Sequence, residues 1–79
     1  MNLSDIIDVG NEVISSIDDS RLENDQVLRN KVEKYKNLRQ LAQSLIKTSL
    51  DKDIEEELLS QLANSIREVE SQLDIISPD

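Results

Sequence analysis

The chain has 79 residues, 33% of them charged, and a net charge of −8 at neutral pH. It has neither Cys nor His, which excludes disulfides, thiolate nucleophiles, imidazole bases and the common zinc sites. The length allows one small domain, and a chain this short buries only about 60% of its unfolded surface, so its stability is modest or shared with a partner.

One Gly and one Pro argue against a sheet-rich or loop-rich fold. Ile, Leu and Val, 25 residues together, supply a thin aliphatic core, and Tyr35 is the only aromatic. No apolar run approaches the ~20 residues of a membrane span. The first ten residues, MNLSDIIDVG, carry acids where a signal peptide carries bases, so the reading is a cytoplasmic protein with no membrane association.

The first helix is predicted over about 4–17. Ile6, Ile7, Val9, Val13, Ile14 and Ile17 fall on one side at 100° per residue, and Asp5, Asp8, Glu12 and Ser15 on the other. Ser4 is the expected N-cap. Gly10 sits amid the apolar side, where it costs up to ~1 kcal/mol of helix propensity relative to Ala. It reads either as a place where another helix comes close or as a tolerated weak spot.

The stretch DDSRLE breaks the pattern, and Ser20 with Glu23 has capping-box spacing. The second helix is predicted over about 21–47. Its apolar positions, Val27 and Leu28 through Leu45 and Ile46, span about 180°, wider than one neighbouring helix covers. TSLD makes the next break. The third helix is predicted over about 51–76, opening at Ser49 or Asp51, with Ile54, Leu58, Leu59, Leu62, Ile66, Val69, Leu73 and Ile76 on its apolar face. Pro78 stops it, because the residue before a proline is pushed out of helical geometry. Short links make consecutive helices antiparallel. The expected fold is all-α: residues 1–79 form one domain, with a short N-terminal helix packed on a longer antiparallel hairpin. This three-helix, bundle-like arrangement is open to completion by dimerisation.

Charge is ordered along the chain. Residues 1–20 carry five acids and no base, 21–47 carry a net +4, and 48–79 a net −7. A basic segment between acidic ones attracts its own neighbours in a folded-back bundle, so Lys31–Arg39 is expected to face acids such as Glu68 and Glu70. The overall sign disfavours direct binding to nucleic acid.

Five acids crowd the seven positions from Asp51 to Glu57. The helix dipole favours negative charge in a first turn, which accounts for the run. Asp51, Asp53 and Glu55 match the 1-3-5 spacing of a calcium loop, but the sixth and twelfth positions are Glu56 and Leu62 instead of Gly and Glu. Carboxylate catalysis needs two acids in a cleft with their pKa values driven apart, and these point to water. No cofactor, metal or enzymatic activity is expected.

Ser71-Gln72-Leu73-Asp74 resembles the Ser-Gln-x-Leu-Asp signature of the small two-helix sporulation phosphatases but lacks its spacer. Ser60-Gln61-Leu62-Ala63 lacks its acid. In length and helical-hairpin pattern the chain is also similar to the small co-chaperones of type III secretion needle subunits. That likeness is architectural and implies a helical binding module. The chain is assigned to neither family.

The functional expectation is a non-enzymatic protein-interaction module: a coiled-coil-like or chaperone-like surface that self-associates or captures a partner helix. A first helix of about 20 Å is expected to cover only half of a hairpin near 38 Å long. The uncovered end then carries Leu38, Leu41, Leu45 and Ile46 from one helix and Ile54, Leu58, Leu59 and Leu62 from the next. Leu41 and Leu59, at the arc edges, are expected to meet a partner protein or a second copy. The alternative is an acidic inhibitor that imitates nucleic acid, displaying Asp53, Glu56, Glu57, Glu70 and Asp74 to a DNA- or RNA-handling enzyme.

Overall fold

The computed structural model describes residues 2–48 and 50–75. Among them are four helices and no strand: α1 (Leu3–Ser15), α2 (Asp19–Asn24), α3 (Gln26–Ile46) and α4 (Lys52–Asp74). The fold is all-α as expected, with α1 lying along an α3–α4 hairpin in a rod of 49 × 17 × 16 Å.

The helix starts differ from those expected. Asn2, rather than Ser4, caps α1: its Oδ1 accepts from the Asp5 backbone N–H at 2.9 Å, and the Asp5 carboxylate accepts from the Asn2 N–H at 3.4 Å. Ser20 caps nothing, because it lies inside α2. The long helix starts at Gln26, capped by Asp25, whose Oδ1 accepts from the Leu28 N–H at 3.0 Å. Asp51 stands at the N-cap of α4, with Asp53 and Glu55 in the first turn. Ser49, the end of the third helix at Ile76 and the stop at Pro78 lie outside the described residues.

Two clusters make the core. One joins Leu3, Ile6 and Ile7 of α1 to Tyr35 and Ala42 of α3 and to Leu58, Leu62 and Ile66 of α4. The other joins Ile17, Leu28, Val32 and Val69. Together they overturn the expectation that the first helix leaves the far end of the hairpin bare. The chain from Asp19 to Asn24 is a helix of its own, so α1 turns back opposite Leu28 and Val69 instead of opposite Arg21. The 14 positions from Ile17 back to Leu3 match the 14 from Leu28 forward to Ala42, about 21 Å on each side at 1.5 Å per residue. Leu3 therefore reaches the interhelical turn, beside Ile46, Leu50 and Glu55.

Gly10 marks a close approach, the sharper of its two readings. The only aromatic lies against the only glycine, and a Cβ built on Gly10 would overlap the Tyr35 hydroxyl, Cε1 and Cζ. The buried Tyr35 hydroxyl donates to the Ile7 carbonyl at 2.9 Å and lies 3.1 Å from Asn11 Oδ1. Arg39 covers the ring, with its guanidinium carbon 5.6 Å from the centroid, and donates to Asn11 Oδ1 at 2.8 Å. Burial pushes the Tyr35 phenol above its ordinary pKa, against the opposing pull of Arg39.

At the opposite end of the rod, Arg21 of α2 reaches the C-terminus of α4. Its Nη2 donates to the carbonyls of Gln72 at 2.7 Å and Ile75 at 3.0 Å. A cation there satisfies free carbonyls and suits the helix dipole. Asp25 joins this network by accepting from Gln72 Nε2 at 3.0 Å and pairing with Arg21 Nε at 3.5 Å. The bond from Gln72, then that from Leu28, holds the Asp25 carboxyl below its ordinary pKa; partial burial opposes this and the Arg21 charge assists.

Candidate functional site

A hairpin has two broad sides. One side of α3–α4 receives α1; on the other, no described residue outside the hairpin covers an open groove of about 730 Å³. Leu38 and Leu41 of α3 supply its apolar lining, with Leu41 49% exposed. The remaining lining is mostly carboxamide: Asn30 and Asn37 on α3, Gln61 and Asn64 on α4. Lys34 and Glu68 cross one edge at 3.5 Å. Both side chains are largely exposed, so this pair contributes about 0–1 kcal/mol and serves mainly to set register.

The register follows from that pair. Lys34 opposite Glu68 in an antiparallel hairpin sets Leu41 opposite Gln61 and Asn37 near Asn64. Part of the expected charge pairing is thus present. Glu70 is exposed on the outer side of α4, and Arg39 turns to α1 instead.

The eight sequence-expected site residues separate. Leu58 and Leu62 are buried in the core beneath α1 and present nothing to a partner in this fold. Leu45 and Leu59 are half-buried against the same cluster. Leu38 belongs both to the core margin and to the groove. Leu41, Ile46 and Ile54 are exposed, with Ile46 beside the α1 N-terminus and the interhelical turn. Leu41 therefore stands at an open surface and Leu59 does not, because Leu59 lies on the side that α1 occupies.

The carboxamides of the groove escape a reading based on apolar periodicity. A signal for them exists in the spacing. Positions 27, 30, 34, 37, 41 and 44 of α3 follow alternating steps of three and four, as do 54, 57, 61, 64, 68 and 71 of α4. That is the seam spacing of a helix presenting a stripe to a neighbour.

No family model, curated protein or solved structure matches this chain. No described helix is long and apolar enough to cross a membrane. Among the described residues no three acids converge as a metal site would require; Asp51, Asp53, Glu56 and Glu57 are exposed and Glu55 is half-buried.

Proposed function

We propose that this protein is a non-enzymatic helical interaction module whose binding surface is the α3–α4 groove on the side away from α1. One observation carries the reading: among the described residues, only one of the hairpin's two sides is covered. Leu41 stands half in water toward the turn end of the groove on the other side, beside carboxamides that both donate and accept hydrogen bonds. A partner helix laid along the groove would remove Leu38 and Leu41 from water, and the carboxamides would set its register.

A photo-crosslinking residue at position 41 tests this, with one at Glu56 on the exposed outer face of α4 as control. Crosslinks should form from position 41 and be scarce from 56. Equal yields at the two positions would sink the proposal. A second reading, an acidic inhibitor imitating nucleic acid, draws on the outer row of α4, where Asp53, Glu56, Glu70 and Asp74 all stay exposed. Binding of that kind would weaken steeply with ionic strength and would crosslink from position 56.

A further inference from the structure

The occupant of the groove is legible in the groove's own pairing. We infer that it is a second copy of this chain, related by a two-fold axis running along the groove, so that α3 of each copy lies antiparallel against α4 of the other. This inference rests on the groove reading above and names its partner.

The argument starts from the hairpin register. Within one chain α3 and α4 are antiparallel, with Lys34 opposite Glu68 at 3.5 Å. A two-fold axis parallel to both helices keeps every residue at its own height along the groove and exchanges left for right. Whatever pairs within the hairpin at a given height then pairs again between copies. Lys34 meets Glu68 of the second copy, and the reverse contact doubles it. Both side chains have room for this, at 61% and 44% exposure. Asn37 falls near Asn64 of the second copy, amide against amide.

The ends of the face fit the same axis. Among the described residues, four of the six large apolar side chains left exposed lie on or beside its two seam rows: Val27, Leu41, Ile54 and Ile75. Val27 and Ile75 share one height, so the axis gathers two of each into one apolar cluster. Ile54 lies at the other end, beyond Leu41, and is 46% exposed there. A parallel seam of α3 on α3 would instead set Lys34 against Lys34, and with the ends exchanged α3 would lie on α3 and α4 on α4, so that Lys34 and Glu68 need not meet. The resulting four helices, two from each copy, each have antiparallel neighbours on both sides, which is the up-and-down bundle arrangement. Carboxamides at seam positions favour one register over slipped ones at a cost in affinity.

The size of the face sets the strength. Twenty-three residues of α4 run about 34 Å. With a width of at most 17 Å, the contact covers at most roughly 600 Å² per copy, about 1,200 Å² in all, no more than the lower bound of specific interfaces. Two chains of charge −8 also repel. The dimer is therefore weak and concentration-dependent, and is best observed near 0.15 M salt, where charges are screened beyond about 8 Å.

Sedimentation equilibrium of the full chain tests the inference with two charge reversals, Lys34→Glu and Glu68→Lys. Alone, each variant sets like charges against each other twice across the two-fold. Each should dissociate roughly ten-fold more readily than the wild type. Mixed in equal amounts, the two variants should recover association. In the heterodimer the two introduced charges are opposite in sign and face each other across the axis, and the unaltered Glu68 of one copy faces the unaltered Lys34 of the other. Recovery on mixing cannot come from the pair inside one chain, which remains mismatched in both variants. Absence of recovery, with both variants folded by circular dichroism, overturns the two-fold arrangement. A wild type that stays monomeric at millimolar concentration while position 41 crosslinks to a foreign protein overturns the second copy and leaves the groove standing. A wild-type dimer indifferent to Leu41→Glu and to both reversals overturns the groove reading itself.

Discussion

Replacing Gly10 with Ala is the sharpest probe of how α1 is seated. The new methyl group would occupy space held by the Tyr35 ring. That ring is fully buried, lies beneath Arg39, and its hydroxyl is tied to the Ile7 carbonyl, so it has no free direction in which to swing. Overpacking of a filled site costs about 1–3 kcal/mol, and displacing the hydroxyl forfeits a hydrogen bond worth about 1 kcal/mol. Against this, Ala gains about 0.5–1 kcal/mol over Gly inside a helix. The net expectation is a loss of about 1–3 kcal/mol. In a domain of this size that lowers the melting temperature by roughly 4–8 °C per kcal/mol. The assay is urea unfolding by circular dichroism on four proteins: wild type, Gly10→Ala, Tyr35→Leu and the double variant. With the ring gone, only the helix term remains, so Gly10→Ala should turn from harmful to mildly stabilising in the Tyr35→Leu background. The effect should change sign between backgrounds, with an interaction energy of about 2 kcal/mol between the two sites. Equal losses in both backgrounds, or a stabilising Gly10→Ala in the wild type, would refute the ring-in-slot account.

Ser65→Ala should raise stability by about 1 kcal/mol, read from the shift in unfolding midpoint, because the Ser65 hydroxyl is buried without a hydrogen-bond partner among the described residues. Asp25→Asn keeps a capping oxygen but removes the charge. The folded protein holds the Asp25 carboxyl below its ordinary pKa of 3.8, so the stability it contributes is present above that value and is lost as pH falls through the lowered one. Melting temperatures of wild type and variant should therefore differ at pH 5 and converge as pH drops well below 3.8. Tyr35 behaves in the opposite sense: its pKa is raised above 10.0, so its contribution is full below that pH and fades as pH climbs beyond it. Tyr35→Phe should flatten this alkaline loss in a pH series of thermal melts.

The helices and their apolar faces were legible because Ile, Leu and Val recur at helical spacing over long stretches. The breaks were harder. Residues 21–24 are as helix-compatible as those of α3, and only Asp25, taking the Leu28 N–H, separates them. Cap choice is settled by a single hydrogen bond, which periodicity does not register. That one break moved the return point of α1 by several residues and so changed which end of the hairpin it covers. Gly10 was readable because a glycine amid an apolar face demands a reason; its partner was not, since nothing local ties it to Tyr35. In the site, Leu41 stood out as an apolar residue at an arc edge. Asn37, Gln61 and Asn64 did not, because a carboxamide on a helix surface looks the same in sequence whether it lines a groove or faces bulk water.

The reach of Arg21 to the carbonyls of Gln72 and Ile75 has a kinetic consequence. The bonds join residues 51 and 54 positions apart, and their acceptors converge only after the last turn of α4 has formed and been brought back beside α3. Apart from these bonds the six-residue α2, which contains no buried residue, is held by the half-buried Leu22 against the second core cluster. With so little of it buried, α2 is expected to dock late in folding and to release early in opening. Native-state hydrogen exchange should show the α2 amides exchanging through a local opening that leaves α3 and α4 protected. Each such opening also strips the end of α4 of its cationic cap. The terminal turn of α4 should then fray in step with α2, although the two lie far apart in the sequence.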